Sequence, residues 1–332
     1  MHAELLEVLR CPECGRQFTL DDAHHQDGQV RSGQLRCGSA EHNFVIRDFI
    51  PRFVAARNYA NSFGMQWNRF RRTQLDSCSG LPISADRFWK ATGWAPEQIA
   101  GQWMLDAGCG AGRFAEVALG AGARVVALDY SSAADACFAN LRQHPNLHVV
   151  QGDIYALPFM KEFFPYAYSL GVLQHTPDVA RAFAALPAAV ADGGQLCVDF
   201  YERSWRGALH SKYWLRPITT RMPQQRLLAV LERWVPPLWH LSCRLRRIPL
   251  AGRALARMVP VVNYSGILPL TEQQHLEWSL LDTFDWYAPA YDNPQSARTL
   301  TQWLRQAGIG EIEVIKAGHL VARGVVAHAP RN

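Results

Sequence analysis

Leu105-Asp106-Ala107-Gly108-Cys109-Gly110-Ala111-Gly112 joins a short apolar run, 103–105, to a run of helical periodicity, 113–119. Three glycines at alternate positions let a ligand reach the backbone where a side chain would collide with it. The spacing excludes the usual dinucleotide-binding fingerprint, which needs glycine at position 113, where Arg113 stands. No Lys-Ser or Lys-Thr pair follows, so a phosphate loop is excluded as well. Asp106, two places before the first glycine, would repel a pyrophosphate and suits a ligand with a cationic amino-acid end.

On either side of this turn, strand-like and helical runs alternate. Residues 124–128, 147–150, 167–172 and 195–200 read as buried strands beside 103–105. Residues 133–141 and 179–190, the latter interrupted at Pro187, read as helices. This rhythm predicts an α/β fold, a parallel sheet with helices on both faces. Asp106, Asp129 and Asp153 stand at three successive strand ends, on the edge where open α/β sheets bind ligands. After Tyr201 the rhythm breaks. Roughly eighty residues rich in Arg, Trp, Leu and Pro read as several short helices, before a helix at 296–307 and strands at 311–315 and 319–326.

The run D-x-G-x-G-x-G after a first strand resembles class I S-adenosylmethionine-dependent methyltransferases, and the match extends from about Trp103 to Tyr201. The resemblance implies a Rossmann-like, seven-stranded sheet with a helical insertion after the fifth strand. It implies that Gly108, Gly110 and Gly112 lie under the methionine part and ribose of the cofactor, with Asp106 near its ammonium. Asp129, followed by Tyr130, would accept hydrogen bonds from the ribose hydroxyls. Asp153 would read the adenine amino group, with Ile154 against the ring. Gly171-Val172-Leu173-Gln174-His175-Thr176 resembles the segment that lines the sulfonium and acceptor side. It stands where many amino-group methyltransferases carry an Asn-Pro-Pro-Tyr type run, and it is similar to the small-molecule, ubiquinone-type branch. Many relatives have Phe-Asp before the fourth strand, whereas this chain reads Phe164-Pro165.

The first fifty or so residues form a separate unit, too small to bury a core without a staple. A short helical pattern at 3–9 leads into Cys11-Pro12-Glu13-Cys14, then polar, turn-rich sequence to Gly33, then Cys37 and His42. Cys-x2-Cys followed by Cys-x4-His has the spacing of a tetrahedral zinc site with four protein ligands, hence a structural one. His24 or His25 is an alternative to His42 as the fourth ligand. The unit resembles the zinc ribbon that precedes some bacterial methyltransferase domains, including the ribosomal-RNA guanine methyltransferases. The expected division is 1–56 for the ribbon and 57–332 for the methyltransferase domain, with a lid helix at 57–76 and a helical insertion at 203–290.

Two further runs point to the acceptor side. Tyr59, Phe63, Trp67 and Phe70 share one face of a helical pattern over 58–72. The Phe63-Gly64-Met65-Gln66-Trp67 run resembles the helix lying over the cofactor in a group of methyltransferases, which makes Gln66 and Trp67 lid candidates. The Asp282-Thr283-Phe284-Asp285-Trp286-Tyr287 run, present in the same group, supplies acidic and aromatic residues for an acceptor pocket or for docking the insertion. Methyl transfer needs a base chiefly when the acceptor is protonated at neutral pH. His175 is the best-placed base, followed by Tyr201 and Asp285.

Composition bounds the rest. With 48% hydrophobic and 19% charged residues, the 332-residue chain is globular in type. The eight cysteines are too scattered for a disulfide framework, and the N-terminal sequence has no signal-peptide pattern, so a cytoplasmic location is expected. The net charge of +5 is uneven: twelve basic residues and one acid, Glu232, fall between Arg203 and Pro260. That segment supports three readings of the acceptor: a small molecule under a helical lid, an RNA base beside a phosphate-binding surface, or a lipid-linked compound at a membrane surface, which would make the protein peripheral to the membrane. Nothing in the sequence fixes an oligomeric state.

Overall fold

The computed structural model describes residues 1–38, 42–55, 58–203 and 211–328. The expected boundary at 56/57 and one basic residue of the insertion, Arg206, lie outside them.

The parallel strands form where both faces are buried, so they read as near-continuous apolar runs. β5 (Trp103–Ala107), β6 (Arg124–Asp129), β7 (Leu147–Gln151), β8 (Phe164–Ser169) and β9 (Val190–Phe200) are parallel neighbours in the order β7-β6-β5-β8-β9. The antiparallel hairpin β10 (Ile309–Ala317) and β11 (His319–Val326) closes the far edge, with β11 against β9. Pro165 sits inside β8, and the β8–β9 pairing slips between Phe164 and Tyr166. A residue with no N–H to donate is accommodated at such an irregularity.

Seven strands are too few for this sheet, which has eleven. The N-terminal unit contributes β1 (Phe18–Gln26), β2 (Gln29–Cys37), β3 (Asn43–Arg47) and β4 (Ile50–Arg52), and β4 lies parallel to β7 with Arg52 opposite Gln151. The stretch that reads as polar and turn-rich is thus largely the β1–β2 hairpin. Arg52 secures the junction: its guanidinium is buried and donates to Gln151 at 2.8 Å and to Asp135 at 2.6 Å.

Alternate residues of each strand enter two cores. Leu105, Val126 and Val150 face one core, which also takes α8 (Val179–Ala185), α13 (Ala297–Gln306) and, from the N-terminal unit, Leu5, Leu9, Phe18 and Leu35. Met104, Val125 and Val149 face the other, which takes α4 (Ile83–Thr92), α6 (Arg113–Gly120) and α7 (Ala133–Leu141). A third core holds the insertion. There α10 (Gln224–Arg246) lays Leu227, Leu231, Val235 and Trp239 against Phe284 and Tyr287 of α12 (Glu272–Tyr287). The insertion is therefore not a set of short helices only. α10 runs 23 residues through Pro236 and Pro237, because its buried stripe outweighs the backbone hydrogen bonds those prolines remove. α9 (Ser211–Thr219) and α11 (Gly252–Met258) flank it. Among the described residues, no helix is long and apolar enough to cross a membrane.

Candidate functional site: a cleft at the carboxyl edge of the sheet

The glycine turn between β5 and α6 is tight because two side chains press on it. Gly108 has φ +99°, and a Cβ there would lie 2.4 Å from Val172. Gly110 has φ +54°, and a Cβ there would lie 3.1 Å from the Trp67 ring. Both positions are thereby closed to any side chain. Gly112 caps α6 against Cys137 and Leu141 and stays out of the cleft.

The cleft itself offers about 890 Å³, counting its open mouth, within the ~300–1,000 Å³ usual for small-molecule sites. Gly108, Gly110, Asp129, Tyr130, Asp153 and Ile154 line it together with Gly171, His175, Asp285 and Arg113, and Trp67 lies against the turn. These residues come from six separate stretches of sequence.

Asp129 is set by its neighbours. Its carboxylate accepts from the Gly110 N–H at 2.9 Å, the Ser131 N–H at 2.8 Å and the Ser131 hydroxyl at 2.7 Å. Three of roughly four acceptor positions are filled, which fixes the carboxylate and leaves room for a ligand hydroxyl. Burial raises Asp129 above the usual carboxylate range, and those donors partly reverse it. Asp153 accepts from the Tyr155 N–H at 2.8 Å, and burial raises it too. Asp106 is buried beneath the turn and does not line the cleft. Burial pushes its carboxyl up to about 8, and the Tyr168 side chain beside it opposes part of that rise. A buried carboxyl under a glycine turn that lines the cleft fits the cationic amino-acid end of S-adenosylmethionine.

His175 is buried with Nδ1 3.0 Å from the Tyr291 carbonyl. A carbonyl only accepts, so Nδ1 carries a hydrogen, and Nε2 has no hydrogen-bond partner. Tyr201 lies behind the lining, edge-on to His175 at 5.6 Å, and donates its hydroxyl to Asp285 at 3.1 Å. Burial and neighbouring carboxylates raise Tyr201 far above its usual range, so it keeps its proton at neutral pH.

α2 (Asn61–Arg69) and the residues before it lie along the cleft. Tyr59 stacks on Tyr130 at 5.0 Å, and Phe63 meets His175 at 5.1 Å. Trp67 lines the cleft, whereas Gln66 is buried away from it with both amide atoms unpartnered. Thr73 and Gln74 tie this region to α12, donating to Glu277 at 2.6 Å and Asp282 at 3.2 Å. Sequence reading missed Tyr59, Phe63 and Arg113 as lining residues. Arg113 donates to Gln74 at 2.6 Å and Ser84 at 3.2 Å, and its only sequence signal was a position where a nucleotide-binding turn would carry glycine.

Residues 105–198 match the family described as a methyltransferase domain. The matched stretch spans β5 to β9 and supplies most of the residues named in the cleft, while Tyr59, Trp67 and Asp285 reach it from outside. The chain is 32% identical over 122 residues to a demethylmenaquinone methyltransferase of Thermobifida fusca (strain YX), covering 36% of this chain and 52% of that protein. It is 37% identical over 100 residues to a malonyl-[acyl-carrier protein] O-methyltransferase of Erwinia billingiae (strain Eb661), covering 29% of this chain and 38% of that protein. The chain thus spans about half or less of the length of either relative. Among solved structures, magnesium protoporphyrin IX methyltransferase from Synechocystis PCC 6803 superposes with a TM-score of 0.43 at 15% identity, over 82% of this chain and 98% of that one.

A second cluster lies in the N-terminal unit. The ligand atoms of Cys11, Cys14, Cys37 and His42 all fall within 4.8 Å of one another. Cys14 and Cys37 sulfurs are 3.1 Å apart, and Cys11 sulfur is 3.5 Å from His42 Nδ1. Two turns bring them together: the Gly15 N–H donates to the Cys11 carbonyl at 2.7 Å, and the Cys37 N–H to the His42 carbonyl at 2.9 Å. Burial pushes the Cys11 thiol up to about 11, while the N–H groups of Glu13 and Cys14 aim at its sulfur and favour the thiolate. His24 and His25 lie on β1, paired with Ser32 and Val30, outside the cluster.

Proposed function

We propose that the protein transfers the methyl group of S-adenosylmethionine to a small-molecule acceptor. The observation that carries this reading is that Asp129, Asp153, His175 and Asp285 line one cleft over the glycine turn. When bound, the cofactor supplies an activated methyl group. Asp129 would hold the ribose, Asp153 and Ile154 the adenine, and Asp106 the amino-acid end. Holding the acceptor in line is the main contribution open to the protein, since alignment is worth about 7–11 kcal/mol. His175 Nε2, which has no hydrogen-bond partner, would take a proton from a hydroxyl acceptor when the ring is neutral. Tyr201 positions Asp285 through its hydrogen bond.

The cysteine cluster we assign to one structural zinc ion. Three thiols and an imidazole suit tetrahedral Zn²⁺, and four protein ligands leave no open position for chemistry.

The test is incubation with methyl-labelled S-adenosylmethionine and a bacterial extract, followed by separation of polar metabolites, lipids and RNA. Label in the metabolite fraction, lost in Asp129→Ala, supports the proposal. Label confined to RNA or lipid overturns the acceptor class but keeps the transfer. No cofactor binding by calorimetry overturns both.

A further inference from the structure

Eleven of the thirteen large apolar side chains that stand exposed among the described residues fall between Trp214 and Ile267. Scattered exposed apolar residues are ordinary, but a concentration of this kind marks an interaction surface. It is also patterned. On α10 the buried stripe is Leu227, Leu231, Val235 and Trp239, at intervals of four. A second apolar stripe, Val230, Trp234, Pro237 and Leu241, runs at intervals of four and three and points outward, and exposed Ile248 follows just past the helix end. One helix thus carries two apolar stripes on different faces, and only one has a protein partner.

Arginines flank the outward stripe. Arg226, Arg233 and Arg244 lie beside it by helical spacing, Arg221 and Arg247 are exposed on the adjoining turns, and Arg253 and Arg257 are exposed on α11. α9 adds Trp214 and Ile218, and α11 adds Leu255 and Met258, all exposed. The one acid between Arg203 and Pro260, Glu232, is tied to Arg69 at 3.3 Å.

We propose that the face formed by α9, α10 and α11 docks on the surface of an anionic lipid bilayer. Apolar side chains ringed by guanidiniums match the boundary between acyl chains and negatively charged headgroups, with the long arginine stems reaching up to the phosphates. A second copy of the chain is disfavoured on this face, because two sets of seven exposed arginines would meet. RNA would use the arginines but gains little from Leu241, Ile248, Leu250 and Leu255. The contact is one helix away from the cleft: α10 packs on α12, and α12 carries Asp285 into the lining. This inference stands whether or not the acceptor is itself a lipid.

The experiment is flotation of the full-length protein with phosphatidylcholine vesicles, with and without roughly 30% phosphatidylglycerol. Two paired variants accompany it, Trp234→Glu with Ile248→Glu and Arg244→Glu with Arg247→Glu, neither touching the cleft. Wild type is expected to float with anionic vesicles, less so as salt rises, and each pair to weaken partitioning at least about tenfold. Unchanged cofactor affinity and unfolding midpoint show that the variants fold. Folded wild type left at the bottom with anionic vesicles overturns the proposal. So does equal flotation of wild type and variants, or equal binding to neutral vesicles. Retention of total RNA that only the arginine pair abolishes, without vesicle binding, reassigns the face to nucleic acid.

Discussion

Burial holds the Asp106 carboxyl up at about 8, and its unfolded value is near 3.8. A carboxyl raised by folding stabilises the folded state below the unfolded value, and that contribution is lost as pH rises toward 8. In the free protein, stability is therefore expected to fall from about pH 4 to pH 8, and Asp106→Asn to flatten that slope in denaturant titrations at several pH values. A cationic ligand near Asp106 favours the carboxylate, so cofactor binding should tighten as pH rises from 6 to 8 and should release a proton. Calorimetry in two buffers of different ionisation enthalpy reads that proton, and Asp106→Asn should remove it. Asp129 acts differently, as a fixed acceptor. Asp129→Ala is expected to cost about 1.5–3 kcal/mol of cofactor binding, roughly ten- to a hundredfold in affinity. Gly108→Ala should fail before binding is reached, because φ +99° and a Cβ 2.4 Å from Val172 cost about 1–3 kcal/mol of stability, measurable by urea unfolding.

Elements differ in how openly the sequence announces them. β5, α6, β6 and α7 were legible because each follows from local apolar periodicity and from one glycine turn between them. The β1–β2 hairpin was not. Of its residues only Phe18, Val30, Leu35 and Cys37 are buried, and most of the rest are polar, so alternation is faint until the pairing is known. Pro236 and Pro237 hid α10 in the same way, since the packing that sustains it comes from α12, some forty residues away. The acids at the strand ends were readable one at a time. Arg113, Tyr59 and Phe63 join the cleft only through tertiary closure. The zinc cluster is an intermediate case: three thiols follow from spacing, whereas the choice of His42 over His24 and His25 depends on which strand bends back. One zinc per chain is expected by metal analysis. Cys14→Ser and His42→Ala should lose it and lower the melting temperature, while His24→Ala and His25→Ala should keep it.

At the level of the molecule, the N-terminal unit and the parallel strands β5 to β9 share one sheet and one core. A sheet edge and a core held in common argue for one unfolding transition in place of two. Leu35→Ala, in the N-terminal unit, is expected to cost about 2–5 kcal/mol and to shift near- and far-ultraviolet transitions together. Two separate melting steps, with the cofactor protecting only the later one, would contradict this. The pairing of Arg52 with Gln151 also has a consequence in time. A ribosome adds about 5–20 residues per second, so β4 leaves the exit tunnel roughly 5–20 s before its partner β7 does. During that interval the nascent hairpin shows an open edge with nothing to cover it, and the proposed zinc ion would hold it in register.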